Sequence, residues 1–141
     1  MTEADRDAIG LIGFRAWQSS SAFEDAYLDP VVIERVRGEF AVFAKETNCD
    51  LVVAEIDGKI VGSAFGAFGG AGINLFGGSV LEEARGRGIY RAMTFARWDM
   101  AVERGTPALT VQAGKMSMPI CEHLGFELVD RARIFVDELA S

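Results

Sequence analysis

The chain is short of positive charge. Lysine and arginine total 14 against 21 aspartates and glutamates, a formal net charge of -7 over 141 residues. No basic stripe runs along it, which argues against nucleic acid as its main partner. Cysteine occurs twice and histidine once. Cys49 and Cys121 lack metal-ligand spacing, so no metal site is expected, and they suit a reducing compartment better than a disulfide scaffold. No basic, then apolar, then small-residue signal opens the chain, so the expected location is cytoplasmic. There is no internal repeat, low-complexity segment or linker, and residues 1–141 read as one domain. One stretch lacks charge altogether: Ile60 to Leu81, 22 residues, is long enough to span a bilayer. It also holds seven glycines, among them the pairs Gly69-Gly70 and Gly77-Gly78. That content favours two strands around a turn, and no membrane partner is expected.

What is present is a globular composition, half hydrophobic and a quarter charged. Thr2 and Asp5 stand at capping-box spacing, and Ile9, Ile12, Gly13 and Ala16 recur at helical intervals to about Trp17. Pro30 can open a second helix with the apolar stripe Val32, Val36, Phe40 and Phe43. "LVVAEI" and "KIVGSAFGAF" flank Asp57-Gly58, a hairpin signature. "INLFGGSVL" reads as a further strand, with Gly77-Gly78 marking either a bulge or a plain bend. Ile89 to Arg104 reads as a helix with Ala92, Met93, Ala96 and Met100 on one face, stopped by Gly105 and Pro107. "ALTVQA" reads as a strand, Pro119 to His123 as a short helix, and "FELVD" with "RARIFVDEL" as a closing pair of strands. The fold class is α/β, with a mixed sheet flanked by helices.

The positive charge that exists is concentrated. Residues 85–104 carry five arginines against Asp99 and Glu103, a local +3, whereas residues 1–83 carry 6 basic against 14 acidic side chains. Within that stretch "EEARGRGIYRAM" sets Gly86 and Gly88 among Arg85, Arg87 and Arg91, between a strand and a helix. The first amides of a helix lack internal partners and carry the positive end of its dipole, so they attract an anion. Glycines let successive N–H groups point into one concavity, and arginines add charge-assisted bonds to phosphate. The alternative is an ordinary tight turn with solvated arginines.

"VLEEARGRGIYRAM", followed by "PALTVQA" and "ICEHLGFELV", resembles the GNAT superfamily of acetyl-CoA-dependent N-acyltransferases. The family's signature of Arg or Gln, two residues, Gly, one residue, then Gly or Ala falls here on Arg85, Gly88 and Tyr90. Leu124-Gly125-Phe126 is similar to the segment after the family's fourth helix. The resemblance is strong from about Leu75 to Val129. It implies a mostly antiparallel mixed sheet, here without the family's usual first strand. It also implies that the amides of Gly86, Arg87, Gly88, Ile89, Tyr90 and Arg91, beside Arg85, hold the pyrophosphate of coenzyme A. Ser79, Val80 and Leu81 would offer backbone groups to the pantetheine arm, and Val80 or Leu81 N–H would polarise the thioester carbonyl. A bulge at Gly77-Gly78 would suit the family's splay between strands, where the thioester enters.

The chain departs from the family's pattern in several places. Tyr90 fills a position usually given to Gly or Ala, so its ring must turn away from the phosphates or lie along the cofactor. Where many members place a proton-donating tyrosine, this chain has Cys121; a thiol can do the work of a phenol, or be a small buried hydrophobe. The asparagine often found seven residues earlier is Gly114. Ser117 is a second hydroxyl donor or an N-cap. Glu55 and His123 are candidate bases, each also readable as a surface residue. Trp17, Phe23, Tyr27, Phe40 and Phe43 are candidates for the wall of the acceptor pocket, with Phe40 and Phe43, at helical spacing, also readable as core. Net charge favours a cationic acceptor, either a small-molecule or a peptide amine. With no strand before it, "LVVAEI" would be an uncovered edge, which suggests either a homodimer or a rearranged edge covered by another segment. The function implied is an N-acetyltransferase, with an acyl-CoA-binding sensor of the same fold as the alternative.

Overall fold

The chain's local signals translate directly into a strand meander. The computed structural model describes residues 48–133 and 135; the two expected N-terminal helices lie outside them. The first strand, β1 (Cys49–Ile56), turns into β2 (Lys59–Phe68) through Asp57 and Gly58, at φ +50° and +75°. Positive φ at both central residues is the turn whose twist matches the strands it joins, and Asp-Gly is well suited to it. Ala54 pairs with Gly62 but Glu55 with Ile60, so Val61 is an extra residue in β2. After Gly69–Gly72, closed by a 2.8 Å bond from Gly69 N–H to Gly72 C=O, β3 (Ile73–Val80) runs back antiparallel to β2.

A short 3-10 turn, Glu82–Ala84, leads to the helix α1 (Ile89–Glu103). Strand β4 (Leu109–Val111) then pairs parallel to β3, so that the described residues form a mixed sheet of order β1-β2-β3-β4. The uncharged stretch Ile60–Leu81 is therefore β2, a turn and β3, and among the described residues no helix is long and apolar enough to cross a membrane.

The core of this sheet depends on the helix coming close. Gly62 and Gly66 lie four apart on one face of β2. A Cβ on Gly62 would stand 3.1 Å from Ile89 Cγ2 and 3.3 Å from Met93 Cε, and one on Gly66 would stand 3.6 Å from Arg97 Cδ. The helix thus lays Ile89, Met93 and Arg97 along the sheet, with Thr94 and Ala101 also buried. This corrects the expected stripe: Met93 belongs to it, but Ala92 is exposed and Arg97 is buried in its place. The helix ends as expected. Thr106 N–H bonds to Ala101 C=O and Gly105 N–H to Val102 C=O, with Gly105 at φ +73°. That pairing closes the last carbonyls through a left-handed glycine.

The chain falls into two compact units, Met1–Val111 and Gln112–Ser141. The second holds the short helix α2 (Met118–His123). It closes in the same way as α1: Phe126 N–H bonds to Cys121 C=O and Gly125 N–H to Glu122 C=O, Gly125 being at φ +92°. "LGF" is therefore a helix-terminating device. The expected strand "FELVD" is not one: residues 126–133 form no strand, and Leu128 and Val129 are exposed. Most of "RARIFVDEL" beyond it lies outside the described residues.

Gly72 is the tightest test of this packing. A Cβ there would fall 2.5 Å from Ala108 O and 3.0 Å from Ala108 C, backbone that cannot swing aside. Gly72→Ala should lose about 1–3 kcal/mol, read as a fall in Tm of roughly 3–10 °C. Gly70→Ala, with nothing within 4 Å, should leave Tm unchanged.

Candidate functional site

Of the two readings of Gly77-Gly78, a bulge and a plain bend, the structure has the bulge. Ser79 pairs with Ser63 and Phe76 with Phe65, so Gly77 and Gly78 together face the single residue Ala64. Gly77 takes φ +58°, the left-handed conformation of a glycine bulge. A Cβ on Gly77 would stand 2.8 Å from Phe65 Cδ2, and one on Gly78 would stand 2.8 Å from Tyr90 Cε2. Both positions need glycine for space, and Gly77 needs it for its backbone as well.

The bulge sets which way the end of β3 faces. Leu81 N–H donates to Val61 C=O at 2.9 Å. In an antiparallel ladder such pairs alternate, so Ser79 also faces β2, while Val80 turns its N–H and C=O to the opposite edge. Arg85 Nε donates to that Val80 carbonyl at 3.2 Å. Leu81 C=O accepts from Ala84 N–H at 2.9 Å, so both backbone groups of Leu81 are engaged within the chain. Of the two expected oxyanion donors, Val80 N–H faces outward and Leu81 N–H does not. The ladder to β4 covers only Ile73, Asn74 and Leu75, and β3 continues five residues beyond it, to Val80.

From Val80 the chain passes through the 3-10 turn to Arg85, which is extended, and then to Gly86 and Gly88 at φ +74° and +76°. Both glycines are exposed, and a methyl group added at either would meet nothing within 4 Å. Their role is conformational: left-handed residues in alternation turn backbone N–H groups toward one side. Gly88 caps α1 without a side-chain hydrogen bond, and the first turn of α1, Ile89 to Arg91, holds no acidic residue. A positive dipole end flanked by Arg87 and Arg91, with no carboxylate in the helix's own first turn, favours a bound anion.

The five arginines do not form one patch. Arg87 is exposed at the loop, and Arg91 lies over the Phe95 ring at 5.5 Å. Arg104 sits at the far end of α1, about 20 Å away by helical rise, over the Phe68 ring at 3.4 Å and 3.8 Å from Asp50. Arg97 is inside, 1% exposed. Its Nε donates to Met93 C=O at 3.0 Å and its Nη1 to Phe65 C=O at 2.8 Å. Arg97 thereby holds the strand residue whose ring covers Gly77. Sequence reasoning missed this residue, although Ile89, Met93, Arg97 and Ala101 share one spacing of four.

Tyr90's ring rests on Gly78, as the contact above requires, and its carbonyl accepts from Thr94 Oγ1 at 2.9 Å. Glu55 is exposed on β1. In the second unit, Cys121 is 3% exposed on α2 and His123 is exposed at the helix end. Ser117 occupies the N-cap position but makes no side-chain cap bond; its Oγ instead accepts from Gly114 N–H at 3.1 Å. The acceptor-pocket candidates Trp17, Phe23, Tyr27, Phe40 and Phe43 lie outside the described residues.

No protein-family model matches this chain, and no curated protein matches its sequence. Solved structures do match its fold. A transcriptional regulator from Bacillus halodurans aligns with TM-score 0.74 at 20% identity, over 97% of this chain and 96% of its own. A predicted acetyltransferase from Clostridium acetobutylicum, solved with acetyl-CoA, gives 0.70 at 18%, over 94% and 92%. The aminoglycoside N-acetyltransferase AAC(6')-Iy, in complex with CoA, gives 0.73 at 14%, over 99% and 92%. The chain has the fold of the GCN5-related N-acetyltransferases, the GNAT fold that its sequence resembles.

The buried arginine generates a direct prediction. Arg97→Met keeps the aliphatic contact with Gly66 but leaves Phe65 C=O without that donor. Urea unfolding should show a loss of about 1–3 kcal/mol, and Arg97→Lys, which lacks the planar fork, should recover only part of it.

Proposed function

We propose that this chain is an acetyl-CoA-dependent N-acyltransferase that passes an acetyl group to a primary amine by direct transfer in a ternary complex. One observation carries the reading. The outward-facing backbone of Val80 and the Gly86–Gly88 loop at the start of α1 adjoin one another, in a fold shared with proteins solved with CoA and acetyl-CoA.

In this reading the amides of Gly86, Arg87, Gly88, Ile89, Tyr90 and Arg91 hold the pyrophosphate. Arg85 pins Val80 and so fixes the distance between the loop and β3. Val80 offers backbone to the pantetheine and its N–H to the thioester carbonyl; Ser79 and Leu81, whose backbones are engaged, contribute side-chain surface. The amine nitrogen attacks the thioester carbon, the C–S bond breaks, and the leaving thiolate takes a proton. Orientation and one oxyanion donor supply most of what such a reaction needs. Cys121 is the proposed proton donor, with Ser117 second, and the amine's proton leaves through a weak base or solvent. The acceptor is a small-molecule or peptide amine, in keeping with the aminoglycoside enzyme among the structural neighbours. The protein works in the cytoplasm. It pairs as a homodimer through β1, the terminal strand of the sheet among the described residues.

A second reading, an acyl-CoA sensor without turnover, is favoured by the placement of the proton-transfer candidates. Glu55 and His123 are exposed, and the Ser117 hydroxyl is bonded to Gly114. Turnover on a panel of amines separates the two readings.

Calorimetric titration tests the common element. Acetyl-CoA should bind saturably and ATP should not. Gly88→Val, which forces a β-branched residue to φ +76°, should weaken acetyl-CoA binding by about tenfold or more, a loss of about 1.4 kcal/mol. Absence of acetyl-CoA binding to the unaltered chain would remove both readings. Cys121→Ala should lower kcat by roughly 100-fold if the thiol is the acid; an unchanged kcat across pH would exclude it.

A further inference from the structure

The two glycines of the bulge are held between aromatic rings, one on each side. Tyr90 approaches the Cβ position of Gly78 with three ring atoms, Cε2 at 2.8 Å, Cδ2 at 3.5 Å and Cζ at 3.7 Å. Phe65 approaches that of Gly77 with Cδ2 at 2.8 Å and Cε2 at 3.3 Å, and stacks on Phe76 at 5.3 Å between centroids. Neither ring sits on a loop. Tyr90 belongs to the first turn of α1, and its carbonyl is bonded to Thr94; Phe65 belongs to the central strand, with its carbonyl bonded to buried Arg97. The glycines themselves are exposed and carry no side chain, while both rings are half-buried. Tyr90 thus covers the Cβ side of Gly78, and Phe65 that of Gly77.

The coenzyme reading gives that stretch an occupant. A cofactor whose pyrophosphate sits at Gly86–Arg91 and whose thioester sits at Val80 directs its acyl tail back along β3, toward Gly78 and Gly77. We infer that Tyr90, with Phe65 opposite it, limits the length of the acyl group and makes this site selective for acetyl over longer chains. The inference rests on the coenzyme reading. The physical reason is that each added methylene must displace a ring seated on backbone atoms, and the backbone cannot yield as a flexible side chain would. The Gly-or-Ala of the resembled signature would leave this space open, and Tyr90 fills it.

The test is calorimetric titration of CoA, acetyl-CoA, butyryl-CoA and hexanoyl-CoA into the full chain and into Tyr90→Phe, Tyr90→Leu and Tyr90→Ala. The quantity read is the ratio of butyryl to acetyl Kd within each protein, so any general change in the grip on the nucleotide cancels. The unaltered chain and Tyr90→Phe should favour acetyl by about tenfold or more, the scale on which apolar pockets resolve chain length. Tyr90→Ala should bring the ratio to near one, and Tyr90→Leu should fall between. Phe65→Leu, should Tyr90→Ala fail to fold, should relax the ratio from the other side. Butyryl-CoA binding as tightly as acetyl-CoA to the unaltered chain would overturn the proposal. So would an unchanged ratio in the Ala and Leu variants. Either result, with CoA itself still bound, leaves the coenzyme reading standing. Failure of CoA to bind the unaltered chain overturns both.

Discussion

At Gly77 the backbone takes a left-handed conformation, and β3 sets two residues against one of β2. The sense of everything downstream depends on that offset. Side chains and backbone groups alternate along a strand, so one inserted residue reverses the direction in which each later residue faces. With the bulge, Val80 directs its amide and carbonyl away from β2, and Arg85 Nε reaches the carbonyl. Without it, that edge would belong to Ser79, and the turn into the glycine loop would leave the sheet half a pleat out of step. A local backbone choice available to glycine thus decides which amide is available to chemistry.

The bulge is supported from α1. Gly62 and Gly66, which carry no side chains, leave room on β2 for Ile89, Met93 and Arg97 of the helix, and Arg97 lies beside Gly66 with its aliphatic stem. Burying a guanidinium costs several kcal/mol in desolvation unless its hydrogen bonds are replaced. Carbonyls of Met93 and Phe65 accept two of them. Because Arg97 bonds to the strand residue next to the bulge, the direction of α1 and the shape of β3 are fixed together. The start of α1 therefore points where the end of β3 can use it.

Much of this is legible in the sequence because it is written locally. The Asp57-Gly58 turn, the strands on either side, an irregularity at Gly77-Gly78 (bulge or bend) and the stop at Gly105 each rest on residues with few conformational options. An α/β domain with a mixed sheet follows from the order of such signals, and the GNAT fold from the resemblance of the later motifs. Arg97 is not legible, since a charged residue in a helix reads as surface unless the facing strand is known to be glycine at two positions. Ala92 reads as core because alanine carries almost no preference that would place it elsewhere. The engagement of Leu81 N–H depends on register, which no single segment contains. The strand expected at "FELVD" follows the usual β composition, yet composition cannot decide pairing when the partner lies elsewhere in the chain. The candidate site divides along the same line: the glycine loop and the Gly77-Gly78 irregularity are visible, whereas the rings packed on that pair are not.

The meander has one further consequence. Each of its connections is short, a two-residue turn between β1 and β2 and the four residues Gly69–Gly72 between β2 and β3. Such turns act as a ruler. The count from Gly58 to Val61, and from Gly72 to Gly77, fixes where each irregularity falls without reference to the rest of the molecule. A residue gained or lost in either connection would slide the scale by one mark, and the amide now at Val80 would be read off the wrong face. Length in these turns is thus held by strand register, and at Gly72 also by the close approach of the Ala108 backbone.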